Sequence, residues 1–291
     1  MIAQPKTTLL DIPTFGTDKT HKIAVYEWAN PLATEIVFCV HGLTRNGRDF
    51  DVLATALSEE YRVIAIDVAG RGKSQWHTDA RHYNYGDYVA DIIQVLVQLG
   101  ITKLHWIGTS MGGIIGMMIA NSAPQLFKTL ILNDIGCLIP AEGLKRILTY
   151  VGKTEFATRA EAENELRIRC SLYGIESEEH WQNLFDNFIE KTGQGAFRFA
   201  YDPQIISTFP PADKIEDINL WALWEKIKTI PTLLIRGEKS DLLTHETAIL
   251  MQKSHPNFSL LEVAEAGHAP ALMSDEQVKT IEKTIERFSH G

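Results

Sequence analysis

Cysteine is scarce in this chain. Three residues in 291, Cys39, Cys137 and Cys170, are widely spaced and form no CxxC pair. That excludes a disulfide framework and points to a reducing, cytoplasmic setting. Long apolar runs are missing too, so no segment is expected to span a membrane. The first residues, MIAQPKTTLLDIPTF, lack an apolar stretch followed by a small-residue cleavage site, and no signal peptide is expected. Positive charge is in deficit: the formal net charge is −9 with no basic run, so nucleic acid or an anionic membrane would meet repulsion. Repeats and low-complexity tracts are absent. What remains is 45% hydrophobic and 22% charged, an ordinary globular balance that argues against disordered, collagen-like or coiled-coil chains. The length suits one large domain or a domain with an insertion, as a monomer or a homodimer.

Short runs rich in β-branched and aromatic residues predict strands at 7–12, 22–28, 35–40, 61–66, 103–107, 128–133, 231–236 and 258–263. From residue 35 onward they are continuously apolar, as in a parallel sheet covered on both faces. Helical patterns lie between them. In 84–99, Tyr88, Ile92, Leu96 and Leu99 share a face, and Asn84 with Asp87 forms an N-terminal cap pair. A last helix begins near Ser274, with Gln277 three residues on. This alternation predicts an α/β fold: a mostly parallel eight-stranded sheet with helices on both faces. It stops between about Pro140 and Lys228. There, Leu144, Ile147, Leu148 and Val151 share one helical face, and Trp181, Leu184, Phe185 and Phe188 another. Residues 140–228 are expected to form a helical cap inserted after the sixth strand. Residues 1–139 and 229–291 are the expected core. Roughly 80–90 residues is too long for a plain loop.

The stretch LHWIGTSMGGIIGMMIA, 104–120, sets a serine among glycines between a strand and a helix. A sharp strand-to-helix turn forces its central residue to positive φ and leaves no room for neighbouring side chains. Gly108 and Gly112 remove those side chains, and Ser110 is lifted over the sheet edge at the positive end of a helix dipole.

Three more loops bear on that serine. In FCVHGLTRNG, 38–47, Gly42 lets the chain turn back, so the Leu43 N–H can face a developing oxyanion, with the Met111 N–H as its partner. His41 reads as a brace for that loop. In DVAGRGKS, 67–74, the GKS ending lacks the earlier glycine of a phosphate loop, so nucleotide binding is excluded; Asp67 and Arg71 are expected to tie down loops. Asp241 follows one late strand and His268 the last. The chain order Ser110, Asp241, His268 is that of a hydrolase triad, in which histidine takes the serine proton and the acid holds the imidazole. Asp134, ending LILND, is a rival acid.

Together these residues resemble the α/β-hydrolase superfamily over nearly the whole chain, and within it the capped serine hydrolases: carboxylesterases, enol-lactonases, carbon–carbon bond hydrolases and cofactor-free haloperoxidases. Ser110 stands where epoxide hydrolases and haloalkane dehalogenases carry aspartate. The resemblance implies cleavage of a small-molecule carboxylic ester, lactone or thioester through an acyl-enzyme on Ser110, without metal or organic cofactor. Carbon–carbon hydrolysis, perhydrolysis, or small-molecule binding without catalysis stay open. Arg45 is a candidate contact for a substrate carboxylate. Trp76, Trp221 and Trp224 are candidate pocket walls.

Overall fold

A computed structural model describes residues 1–30 and 32–289 of the chain. Eight strands form the main sheet: β1 Lys6–Pro13, β2 Thr20–Trp28, β3 Ile36–Val40, β4 Arg62–Ile66, β5 Leu104–Thr109, β6 Phe127–Asn133, β7 Thr232–Gly237 and β8 Phe258–Val263. Their spatial order is β1-β2-β4-β3-β5-β6-β7-β8. The β1–β2 and β2–β4 pairs are antiparallel, and all pairs from β4 to β8 are parallel. All eight predicted strands are present.

The pleat sorts apolar residues to two faces. Val37 and Cys39 of β3 join Ile107 and Ile131 under α1 Asp51–Leu57 and α9 Asp275–Ser289. Phe38, Val40, Trp106 and Leu132 face α2 Tyr85–Gln98 and α3 Met111–Ser122. Local signals fix the helix starts. The Asp87 N–H donates to the Asn84 side chain at 3.0 Å, and the Gln277 N–H to Ser274 Oγ at 3.3 Å. Strand order reverses around β3, so the loops leaving β3, β5 and β6 open on one crevice at the carboxyl edge, the usual ligand position in such sheets.

Between β6 and β7 the chain departs from sheet–helix alternation. It forms α4 Ala141–Val151, α5 Arg159–Arg169, α6 Glu178–Phe188 and α7 Trp221–Trp224. Short strands accompany these helices. Glu155–Phe156, Ile189–Lys191 and Phe197–Phe199 make a small antiparallel sheet, and Leu138–Ile139 pairs with Ile218–Asn219. Two- and three-residue strands are too short to display a period in sequence. What holds them is aromatic packing: Phe199 lies 4.8 Å from Phe156 and 4.9 Å from Phe188, centroid to centroid. The apolar faces of α4 and α6 merge with the sheet's own core, so the insertion is packed down onto the carboxyl edge. The next helix, α8 His245–Ser254, follows β7.

Candidate active site

Ser110 occupies the junction of β5 and α3 with φ 51° and ψ −113°. The bend is pinned from both sides. Its N–H donates to Asn133 O at 2.9 Å, and its carbonyl accepts from the Gly113 N–H at 2.9 Å. A Cβ on Gly112 would sit 2.0 Å from Val40 O, and one on Gly108 would sit 2.4 Å from Gly112 O. Only bare backbone fits, which is why glycine stands at both positions.

His268, in the loop after β8, comes back over the sheet edge to meet the serine. Its Nε2 lies 2.9 Å from Ser110 Oγ. Its Nδ1 lies 2.7 Å from Asp134 Oδ2. With a carboxylate accepting from Nδ1–H, Nε2 is left with a lone pair for the serine proton. Asp134, fully buried with φ 54°, is itself fixed: it accepts the Gly237 N–H at 2.7 Å and the Ser240 hydroxyl at 2.5 Å.

The expectation for Asp241 is therefore corrected. Asp241 forms a bidentate ion pair with Arg146 of α4, with Arg146 Nη2 at 2.8 Å from Oδ1, and makes no hydrogen bond to His268. Although partial burial raises the Asp241 pKa, the Arg146 hydrogen bond and charge outweigh it and hold the carboxyl below its ordinary value. Sheet order supplies the reason. The loop after β8 must reach across β7 to arrive above β5, and β6, which carries Asp134, lies between β5 and β7.

The Leu43 and Met111 N–H groups, both beside Ser110, donate to no acceptor among the described residues. The loop carrying Leu43 is built from buried polar groups. His41 donates from Nδ1 to Gly42 O at 2.7 Å and accepts the Val68 N–H on Nε2 at 3.0 Å; burial drops its pKa to about 3, so it stays a neutral brace. Arg71 donates to Leu43 O at 2.9 Å and to Tyr88 Oη at 2.8 Å, and its Nη2 lies 3.7 Å from Met111 Sδ. Asp67 accepts from the Gly47 and Lys73 amides and from Tyr26 Oη, each at 2.7 Å.

Two hollows meet at Ser110. One contains His268 and is edged by Thr44, Arg45, Tyr150 and Tyr173. The other is nearly all apolar, with Met111, Ile114, Ile147 and Leu148 in its wall. Arg45 is buried and paired with Asp49 through Nε at 2.8 Å and Nη2 at 2.6 Å, with its guanidinium 4.1 Å over the Phe188 ring. Its Nη1, also buried, has no partner among the described residues. The three tryptophans do not wall these hollows. Trp224 is fully buried under α8, donating to Ser254 Oγ at 2.9 Å; Trp76 packs under Arg198, and Trp221 is half-buried against the core. Sequence reasoning passed over Tyr150, Tyr173 and Ser240. A tyrosine on an amphipathic helix carries no mark of which hollow it will edge, and Ser240 matters only once Asp134 is in place.

A family model described as alpha/beta hydrolase fold matches residues 35–273. A 3-hydroxybutyrate-oligomer hydrolase of Cupriavidus necator is 38% identical over 267 residues, 89% of this chain and 90% of that protein. A solved structure from Rickettsia typhi is 37% identical with TM-score 0.90, over 97% of this chain and 99% of that one. An alpha/beta hydrolase from Novosphingobium aromaticivorans is 31% identical with TM-score 0.87, over 99% and 100%. The chain belongs to the α/β-hydrolase fold family, a family of hydrolytic enzymes.

Proposed function

We propose that this protein is a serine hydrolase of carboxylic esters, and that its substrates are short esters of hydroxy acids bearing a free carboxylate. The observation that carries the first part is the chain of contacts from Ser110 through His268 to buried Asp134, 2.9 Å and 2.7 Å. Serine alone is a feeble nucleophile at neutral pH. Here His268 Nε2 takes the Ser110 proton as Oγ adds to the ester carbonyl. Asp134 holds the ring and stabilises the imidazolium. The Leu43 and Met111 amides receive the oxyanion. The C–O bond to the leaving alcohol then breaks as His268 returns the proton to that oxygen, leaving an acyl-enzyme. Water, deprotonated by His268, adds to the acyl carbon, and the acid departs as Ser110 regains its proton.

The substrate class rests on similarity to the 3-hydroxybutyrate-oligomer hydrolase and on the contrast between the hollows. The polar hollow lies on the side of His268, where the leaving alcohol must be protonated. In a hydroxy-acid oligomer that alcohol carries a carboxylate, and Arg45, which edges this hollow, carries the positive charge to meet it. The apolar hollow suits the acyl half.

A fluorophosphonate should label wild-type protein at Ser110 and fail on Ser110→Ala, which should lose essentially all turnover of 3-hydroxybutyrate dimer and trimer. Undiminished turnover by Ser110→Ala, or no label on wild type, contradicts the reading. Arg45→Gln should raise KM for the oligomers by about tenfold, the scale of one charge-assisted hydrogen bond, while leaving KM for p-nitrophenyl acetate within about twofold.

A further inference from the structure

Away from the serine, three histidines and two aspartates gather beside the antiparallel edge of the sheet. His21 comes from β2, His77 and His82 from the loop ahead of α2, and Asp87 and Asp91 from α2 itself. His21 Nε2 lies 3.0 Å from Asp91 Oδ2, and its Nδ1 is tied to Thr14 Oγ1 at 2.9 Å. The His77 ring is centred 4.6 Å from His21 and 5.2 Å from His82, whose Nδ1 lies 2.6 Å from Asp87 Oδ2. One ligand atom from each of His21, His77 and Asp91 falls within 4.8 Å of the other two.

His77 is what ordinary hydrogen bonding does not explain. It is only 9% exposed, yet its Nε2 has no partner among the described residues. A buried polar atom left unmatched costs about 1–3 kcal/mol and calls for an explanation such as a bound ion.

We propose that His21, His77 and Asp91 bind a divalent transition-metal ion of the zinc type. Two imidazoles and a carboxylate are a donor set that such an ion takes. Tetrahedral coordination at about 2.0–2.1 Å places ligand atoms roughly 3.4 Å apart. His21 and Asp91 already stand near that separation, and a ligand atom of His77 lies within 4.8 Å of both. Thr14 on His21 Nδ1 supplies the outer contact that fixes a metal-binding imidazole. The His82–Asp87 pair, part-exposed at 21% and 11%, lies at the entry and offers further negative charge. The ion would pin the loop of His77 between β2 and α2. That loop leads into Tyr83, Tyr85 and Tyr88, which flank Met111 in a neighbouring hollow. Its effect falls on stability, not on the serine chemistry.

The test uses untagged full-length protein stripped with chelator and titrated with Zn²⁺ alone and Co²⁺ alone. One Zn²⁺ per chain should survive gel filtration, Tm should rise by several degrees, and Co²⁺ should give a visible ligand-field band. His77→Leu should lose all three while melting no lower than wild type in chelator and keeping its ester turnover. His268→Ala should keep all three, separating this site from the serine. No retained zinc in wild type, full retention in His77→Leu, or loss in His268→Ala overturns the proposal.

Discussion

Gly112 shows how tightly one residue can be specified. A methyl group there meets the Val40 carbonyl, which is backbone and cannot rotate away. Gly112→Ala should destabilise by about 3 kcal/mol or more and cut turnover by at least about 10²-fold, since the elbow must open. Gly152→Ala, where nothing lies within 4 Å and φ is not positive, should change neither. Thermal melts and ester assays on both variants check this. The elbow was legible in sequence because glycine spacing is a backbone requirement. The acid was not. Asp134 and Asp241 each end or follow a strand, and only sheet order together with the positive φ of Asp134 decides which reaches the ring. Arg45 edges the hollow beside His268, but its bidentate pairing with Asp49 appears only in the folded chain.

At the scale of elements, strands and helix caps were readable because their signals are local. The Asn84–Asp87 pair, for instance, starts α2, with the Asp87 N–H donating to the Asn84 side chain. The insertion announced itself as a break in alternation, but its short strands had no period to show. Its tryptophans went into core and surface packing instead of the hollows, because burial alone does not say which cavity a large ring faces. The Arg146–Asp241 pair ties α4 to the loop after β7. Half-exposed pairs of this kind contribute at most about 1 kcal/mol. Arg146→Ala should therefore lower stability by no more than that in urea titrations at low salt, and the difference should vanish at about 1 M salt. A loss of several kcal/mol, or one indifferent to salt, would give the pair a larger part in holding the insertion down.

For the whole molecule, buried titrating groups set the response to acid. Burial drops His41 to about 3, and burial opposed by Glu35 leaves His105 at about 4. The unfolded chain protonates histidine near 6.5, so below that pH it binds more protons than the native state, and stability falls as pH falls toward about 4. Asp67 works the other way. Burial raises its pKa to about 6, so the native state takes that proton first and gains stability between about 6 and 4. Two histidines against one aspartate leave a net loss of about 1.4 kcal/mol per pH unit from these groups. His105→Asn should flatten the slope of stability against pH by about that amount in urea titrations between pH 6 and 4.5. An unchanged slope would mean that His105 titrates normally.

In the proposed mechanism Asp134, and not the aspartate favoured by chain order, orients His268 for the attack of Ser110. This is tested most directly by kcat on a 3-hydroxybutyrate dimer, for Asp134→Asn and Asp241→Asn side by side. Asp134→Asn should lose a factor on the order of 10⁴, the scale seen when a triad acid becomes an amide, and Asp241→Asn should change within about threefold. The reverse ranking, or near-wild-type turnover in both, would contradict it.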